Sequence, residues 1–206
     1  MAVALGRPCQ FQRGQTLLSE GEYSTYALLL FAGKVKVKAL TADGREILLS
    51  IRVAGDVVGD LAAADGGPRT ATVEACSRVE AREVPAIVWR AFLDRHPAAN
   101  TTLHLVLGDR LRAATRRRVE LGEYPASVRI ARVLAEFVRQ HGRDTRQGRE
   151  LEFALTQSEL AAAAECGVAS VQSLLRQLRD EHIVETHYRR LVVLDLVALD
   201  RWARLV

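Results

Sequence analysis

No run of about eighteen consecutive apolar residues, the length a membrane-spanning helix needs, occurs anywhere in the 206-residue chain. The opening Met1-Ala-Val-Ala-Leu-Gly-Arg-Pro8 is too short and too polar for a secretory signal, so a cytoplasmic protein without a membrane partner is expected. Cysteine is scarce: Cys9, Cys76 and Cys166 lie far apart with no CxxC pair. An odd, dispersed set argues against a disulfide framework and against a zinc or iron–sulfur site, leaving three small apolar residues and no metal. No nucleophile–base pair or paired carboxylate set stands out, so an enzyme is the weakest reading and no catalytic residue is assigned.

What is present is ordinary for a globular chain. With 49% hydrophobic and 26% charged residues the sequence suits two small domains or one large one, and it excludes a disordered tail, a collagen-like fibre and a knottin-type scaffold. Its 29 basic against 25 acidic residues leave a net charge of +4, which favours an anionic partner only weakly. The location of that charge carries more information.

From Phe11 to Val84 the chain reads as β structure. Short apolar runs, Tyr26-Ala-Leu-Leu-Leu-Phe31 and Ile47-Leu-Leu-Ser-Ile51, are punctuated by glycines. Lys34-Val-Lys-Val-Lys38 alternates charge and valine, the period-two pattern of a half-buried strand. Gly33, Gly44, Gly55 and Gly66 recur every eleven residues, one strand plus one turn, and Ala42-Asp-Gly-Arg45 is a hairpin signal. Strands at this spacing suggest a small barrel or roll.

The pattern then becomes helical. Pro97 to Glu123 contains no internal proline, and heptad positions fall on His104, Leu107, Leu111, Ala114, Arg118 and Leu121. Two readings stand: a marginal coiled-coil seam pairing with a second copy through Leu107, Leu111, Ala114, Arg118 and Leu121, or an amphipathic helix packed on its own roll. Arg110 to Arg118 holds five arginines in nine residues, read as a solvated helix face. Gly122-Glu-Tyr-Pro125 breaks this helix and places a domain boundary. An amphipathic helix, about Ser127 to His141, follows, and the polar stretch Gly142 to Glu150 reads as loop.

Thr156-Gln-Ser-Glu159 is a capping box opening a short helix to about Ala164. After the turn Glu165-Cys-Gly167, a second helix over about Val168 to Glu181 places Val171, Leu174, Leu175 and Leu178 on one face. This describes a helix-turn-helix, with a plain three-helix module as the alternative. Ile183 to Leu194 reads as a two-stranded wing with a basic tip. Candidate DNA-facing residues are Thr156, Gln157, Ser170, Gln172, Ser173, Arg176 and Arg179, with Arg189 and Arg190 on the wing. Gln172 suits adenine, Arg176 suits guanine or a phosphate, and Arg179, Arg189 and Arg190 suit phosphates.

This order of parts, with Gly21-Glu22, Tyr26 to Gly33, Gly44-Arg-Glu46, Gly55-Asp-Val-Val-Gly-Asp-Leu61 and Pro68-Arg-Thr-Ala-Thr72, resembles the CRP/FNR family of dimeric bacterial transcription regulators. The resemblance implies an α+β chain: a β-roll effector domain over 1–96, a dimerisation helix over 97–124 and a winged helix-turn-helix over 125–206. It implies double-stranded DNA with a pseudo-palindromic operator, a second copy, and RNA polymerase as partners, with cAMP or a related cyclic nucleotide as effector and no required cofactor. It also places a phosphate-binding cassette at Gly59 to Thr72: Arg69 supplies a guanidinium fork, Thr70 a hydroxyl, and Gly59, Asp60 and Leu61 the start of a short helix. Several positions depart from the family pattern. Asp60 stands where cAMP-binding relatives have glutamate and is read either as a ribose ligand or as a helix cap. The adenine-contacting positions fall on Ala114 and Thr115, of which only Thr115 keeps a hydroxyl. Val168 and Ala169 replace the arginine and glutamate that begin the usual recognition helix, which implies a different half-site, or a module that has lost specific DNA binding. Iron–sulfur sensing is not supported, because Cys9 is the only N-terminal cysteine, and no axial haem ligand is identified, His96 and His104 reading as surface or seam.

Overall fold

Glycine-ended apolar runs in the first third pair into two antiparallel sheets of four strands each. The computed structural model describes residues 5–41, 44 and 46–204, with residue 121 described in its backbone alone. One sheet has the order β1 (Arg7–Phe11), β8 (Val79–Pro85), β3 (Tyr26–Ala32), β6 (Val57–Val58); the other has β2 (Thr16–Leu18), β7 (Thr72–Ala75), β4 (Lys34–Leu40), β5 (Glu46–Val53). Leu17, Leu18, Leu28, Leu30, Val35, Val58, Val73 and Val79 from both sheets form one core cluster, burying the apolar face of each. The hairpin expected at Ala42 to Arg45 joins β4 to β5, with Leu40 opposite Glu46; residues 42, 43 and 45 lie outside the described residues.

The strand over Lys34 to Lys38 is present, but its lysines do not face open solvent. Lys36 and Lys38 are buried, at 8% and 6% exposure. The strand is central, flanked by β5 and β7, so the lysine stems lie between cross-strand neighbours. Lys38 Nζ donates to Glu46 at 2.9 Å and to Glu74 at 2.6 Å. Burial alone would push this ammonium down, but the two carboxylates outweigh it and hold it above its ordinary value.

Three helices follow the roll or interrupt it: α1 (Asp60–Asp65), α2 (Ala86–Arg95) and α3 (Pro97–Glu123). Pro97 starts α3, where a missing N–H leaves no bond unmade, and Pro125 forces the chain out of helix after Tyr124. The chain divides into two compact units between Ala113 and Ala114, inside α3.

In the second unit, α4 (Ala126–His141) buries Val128, Ile130, Ala131, Leu134, Phe137 and Val138 against α5 (Gln157–Ala163), α6 (Val168–Asp180) and α7 (Leu196–Trp202). The polar stretch expected to be loop is instead a hairpin, β9 (Gly142–Asp144) and β10 (Arg149–Leu151), closed by Thr145 N–H donating to the Gly148 carbonyl. β10 pairs with β12 (Arg190–Val193), which pairs with β11 (Val184–His187), so the wing belongs to a four-stranded sheet rather than a two-stranded ribbon. Three-residue strands are too short to show a period of two, and β10 is held by pairing with a strand forty residues away, a tertiary contact that local pattern does not carry.

Gly33 shows how tightly the β3–β4 connection is built. Its φ is +86°, and a Cβ there would meet the Arg78 carbonyl oxygen at 2.2 Å, which is backbone and cannot move aside. Gly33→Ala should therefore lower stability by about 2–4 kcal/mol, combining left-handed strain with a backbone clash, as measured by circular dichroism in urea.

Candidate functional site: an anion cradle and a DNA-reading face

The cradle forms where β3, the start of α1 and the loop before β7 converge. Gly59 precedes α1 in the left-handed conformation, and a Cβ on it would lie 2.4 Å from Arg69 Nη1 and 2.9 Å from Leu18 Cδ1. Only glycine gives both the backbone turn and the room for the guanidinium. Arg69 is 3% exposed. Its Nε donates to Ser24 Oγ at 2.8 Å, Nη1 to the Gly59 carbonyl at 2.8 Å and Nη2 to the Tyr26 carbonyl at 2.6 Å. The Tyr26 ring lies 4.8 Å from its Cζ. Its backbone is fixed as well, exchanging bonds with Glu22 and Gly21 at 2.9 and 2.8 Å.

All three side-chain bonds of Arg69 go to neutral oxygens. Burial pushes its acidity up, so its pKa falls below the ordinary guanidinium value, while Tyr26, Glu22 and Asp60 work in the opposite direction. Arginine nevertheless stays charged in proteins, so the cradle holds a desolvated cation, with two of about five N–H donors uncommitted. Burial pushes the Tyr26 phenol up in turn, with Arg69 opposing. Leu61, 47% exposed, and Thr70, also exposed, border the same segment.

Asp60 does not cap α1: the cap is Gly59, without a side-chain bond, and Asp60 is the first helical residue. Its carboxylate, buried in a residue 7% exposed, accepts from Arg110 Nη1 at 2.9 Å, while Arg110 Nη2 donates to the Val57 carbonyl at 3.1 Å. The arginine run on α3 is thus not uniformly solvated. Arg110 reaches into the roll and Arg117 reaches Glu136 on α4 at 3.4 Å, whereas Arg112 pairs at the surface with Asp109. A buried carboxylate captures the nearest long cation, and nothing in a local charge run says which arginine that is.

Along α3, Leu111 is 69% exposed, Leu107 half-buried, and Ala114, Thr115 and Arg118 exposed; Leu105 and Val119 add exposed apolar surface, and the side chain of Leu121 lies outside the described residues. The Phe92 and His96 rings lie 4.6 Å apart, tilted at 48°, and His104 is exposed.

In the second unit the capping box is present: Thr156 Oγ1 accepts from Glu159 N at 3.1 Å, and Glu159 accepts from Thr156 N at 2.8 Å. The Thr156 hydroxyl is committed to this cap, while Gln157 is exposed beside it. Arg129 on α4 secures the turn of the motif, donating to the Ala164 and Glu165 carbonyls at 3.0 Å each and to the Tyr124 carbonyl at 2.6 Å. α6 turns Val171, Leu174, Leu175 and Leu178 inward and leaves Val168, Ala169, Gln172, Ser173, Arg176 and Arg179 exposed, with Ser170 half-buried. Arg179 donates to Thr186 Oγ1 on the wing at 3.1 Å, and Arg190 pairs with Glu150 at 2.9 Å. Tyr188 at the wing tip is 88% exposed. Sequence reading passed over Tyr188, Arg110, Arg129 and Glu150; for Tyr188 the signal was available, a large aromatic at the tip of a polar hairpin.

A roll holding a buried cation, a long helix and a helix-turn-helix with a wing together define a DNA-binding regulator with a ligand-domain fold. Residues 8–96 match the cyclic nucleotide-binding domain family and residues 128–202 the Crp-like helix-turn-helix domain family. The chain belongs to the CRP/FNR family of transcription regulators. It is 28% identical over 200 residues to a CRP-like cAMP-activated global transcriptional regulator of Mycobacterium tuberculosis, covering 96% of this chain and 88% of that one. It is 25% identical over 179 residues to the cAMP-activated global transcriptional regulator CRP of Escherichia coli, covering 86% and 85%. A crystal structure of a CRP-family transcriptional regulator from Thermus thermophilus matches with a TM-score of 0.78 and 28% identity over 95% of this chain and 96% of that one. Among the described residues no helix is long and apolar enough to cross a membrane.

Removing Arg110 strands a buried carboxylate. Arg110→Ala should cost about 1–3 kcal/mol of stability, and adding Asp60→Asn should recover most of it, as read from paired urea denaturation curves.

Proposed function

We propose that the protein is a homodimeric transcription regulator, acting in the cytoplasm, whose β-roll binds a small anionic effector and whose winged domains read a pseudo-palindromic DNA site. The effector is most simply cAMP or a related cyclic nucleotide. The observation that carries the reading is Arg69: a buried guanidinium whose hydrogen bonds all go to neutral groups is a site short of one negative charge. A cyclic phosphate supplies one negative charge and acceptors for the remaining N–H donors, with Thr70 adding a hydroxyl and Gly59 and Leu61 framing the approach.

Asp60 then has two possible partners, a ligand hydroxyl and Arg110. A ligand that draws on Asp60 changes the grip of the cradle on α3, which gives the differential contact that coupling requires. On α3, Leu107, Leu111, Ala114, Arg118 and Leu121 form the seam with a second copy, and the exposure of Leu111 supports this use. With α6 in the major groove, Gln157, Ser170, Gln172, Ser173 and Arg176 face base edges or phosphates, Arg179 and Arg190 position the domain on phosphates, and Arg189 meets the DNA from the wing. Val168, 38% exposed at the start of α6, suits contact with a thymine methyl. RNA polymerase is the further partner such a regulator addresses.

Calorimetry tests the cradle directly. cAMP should bind the wild-type dimer in the micromolar range, and Arg69→Lys, which keeps the charge but loses the fork, should weaken it at least about tenfold with an unchanged circular dichroism spectrum. Absence of heat and of competition in the wild type would remove cAMP as the effector. The DNA reading is tested by anisotropy with a duplex selected from a randomised pool. Arg176→Ala should cost about 1–3 kcal/mol at one base position, and log affinity should fall linearly with log salt. A pool with no enriched duplex would instead favour a module that has lost specific DNA binding.

A further inference from the structure

β11 and β12 are joined by a two-residue loop, Tyr188-Arg189, with His187 opposite Arg190. Such loops favour glycine or asparagine where φ is positive. Here the second residue is Arg189 with φ +59°, a conformation unfavourable for an arginine backbone. The most favourable local choice is therefore absent from the most exposed point of the wing, and the two side chains there are a tyrosine and an arginine.

The surrounding cations are already engaged. Arg190 is paired with Glu150, and Arg179 with Thr186. Arg189 has neither an ion pair nor a side-chain hydrogen bond among the described residues; its guanidinium lies over the Tyr188 ring, 5.6 Å from Cζ to centroid. The ring is 88% exposed, so the pair forms a thin, stiffened, cationic projection beyond the sheet. Glu185, two residues before His187 on β11, lies 3.4 Å from its ring nitrogen.

We propose that Tyr188 and Arg189 form a minor-groove reader: Arg189 enters the groove and Tyr188 lies along its wall, favouring A·T pairs beside each half-site. The proposal rests on the DNA-binding reading above and names its specificity determinant. The bond from Arg179 to Thr186 links α6 to the wing, so in the proposed complex the tip lies beside the major groove that α6 enters, where the neighbouring groove is the minor one. That groove is about 6 Å wide, fitting one side chain rather than a helix. A·T tracts narrow it and deepen its negative potential, and a G·C pair places an amino group on its floor. A guanidinium is attracted by the first and obstructed by the second.

The test separates groove reading from simple phosphate contact. A duplex is selected from a randomised pool with wild-type protein, then remade with diaminopurine for adenine at the flanking pairs, which adds the minor-groove amino group without altering the Watson–Crick partner. Wild-type affinity should fall about five- to tenfold, the range of a single groove contact, and inosine·cytosine pairs at the same positions should bind like A·T. Arg189→Gly, which relaxes the turn and keeps the hairpin, should lose this discrimination while preserving preference at the pairs under α6. Arg189→Lys should retain overall affinity better than discrimination, and Tyr188→Ala should reduce both in part. An unaltered affinity for the diaminopurine duplex, or an Arg189→Gly loss equal on every duplex, overturns the proposal and leaves Arg189 as a phosphate contact or a surface for another protein. Failure to enrich any duplex defeats the DNA-binding reading first, and this one with it.

Discussion

A cation without water organises the N-terminal half of this protein. Arg69 is almost wholly buried, so each of its committed donors must find an acceptor, and those acceptors come from separate places in the chain: Ser24 and Tyr26 at the start of β3, and Gly59 before α1. Satisfying one guanidinium therefore fixes the position of a loop, a strand end and a helix start together. Gly59 must be glycine because the guanidinium occupies the space where a Cβ would stand. The bonds that Arg69 makes go to neutral oxygens, so the guanidinium anchors the roll while its charge has no directly bonded counter-ion.

From the cradle the next link is Asp60. Its carboxylate would be costly to bury alone, and Arg110 neutralises it from the long helix while also bonding the Val57 carbonyl. The roll thus holds the first part of α3 through a polar contact rather than through packing alone. A polar link of this kind can exchange one partner for another, whereas an apolar contact only loosens.

In the second unit the same residue type performs different work. Arg129 ties the turn between α5 and α6 to Tyr124, and Arg132 pairs with Glu120 at 2.8 Å while its guanidinium covers the Tyr124 ring at 4.0 Å. The end of α3 and the helix-turn-helix are consequently joined by two arginines on one face of α4. Glu165, at φ +50° in the turn of the motif, is held by this network in a conformation glycine would adopt more readily. At the wing, Arg190 is paired with Glu150, whereas Arg179 donates to the Thr186 hydroxyl, a neutral partner that leaves its charge in place.

Much of this was legible in the residues themselves. Short apolar runs between glycines indicated β3 and β5, and the alternation of Lys34 to Lys38 indicated β4; the proline-free stretch from Pro97 indicated α3; the Thr156–Glu159 box and the leucines of α6 indicated the helix-turn-helix. These are properties of backbone preference and of one-sided apolar patterning, which act over a few residues and are written in order along the chain. Tertiary structure decided what those patterns do not contain. Lys36 and Lys38 are buried because their strand has neighbours on both sides, and the polar stretch after α4 is a hairpin because β10 finds β12. Which arginine of the α3 run is solvated, and that Asp60 pairs with Arg110 instead of capping its own helix, depends on a contact between residues fifty positions apart. Sequence determined those elements that local sterics and periodicity carry; the β9–β10 hairpin and the partners of the charged side chains were set by folding, since strand pairing and electrostatic pairing depend on distance in space and on the water that burial removes.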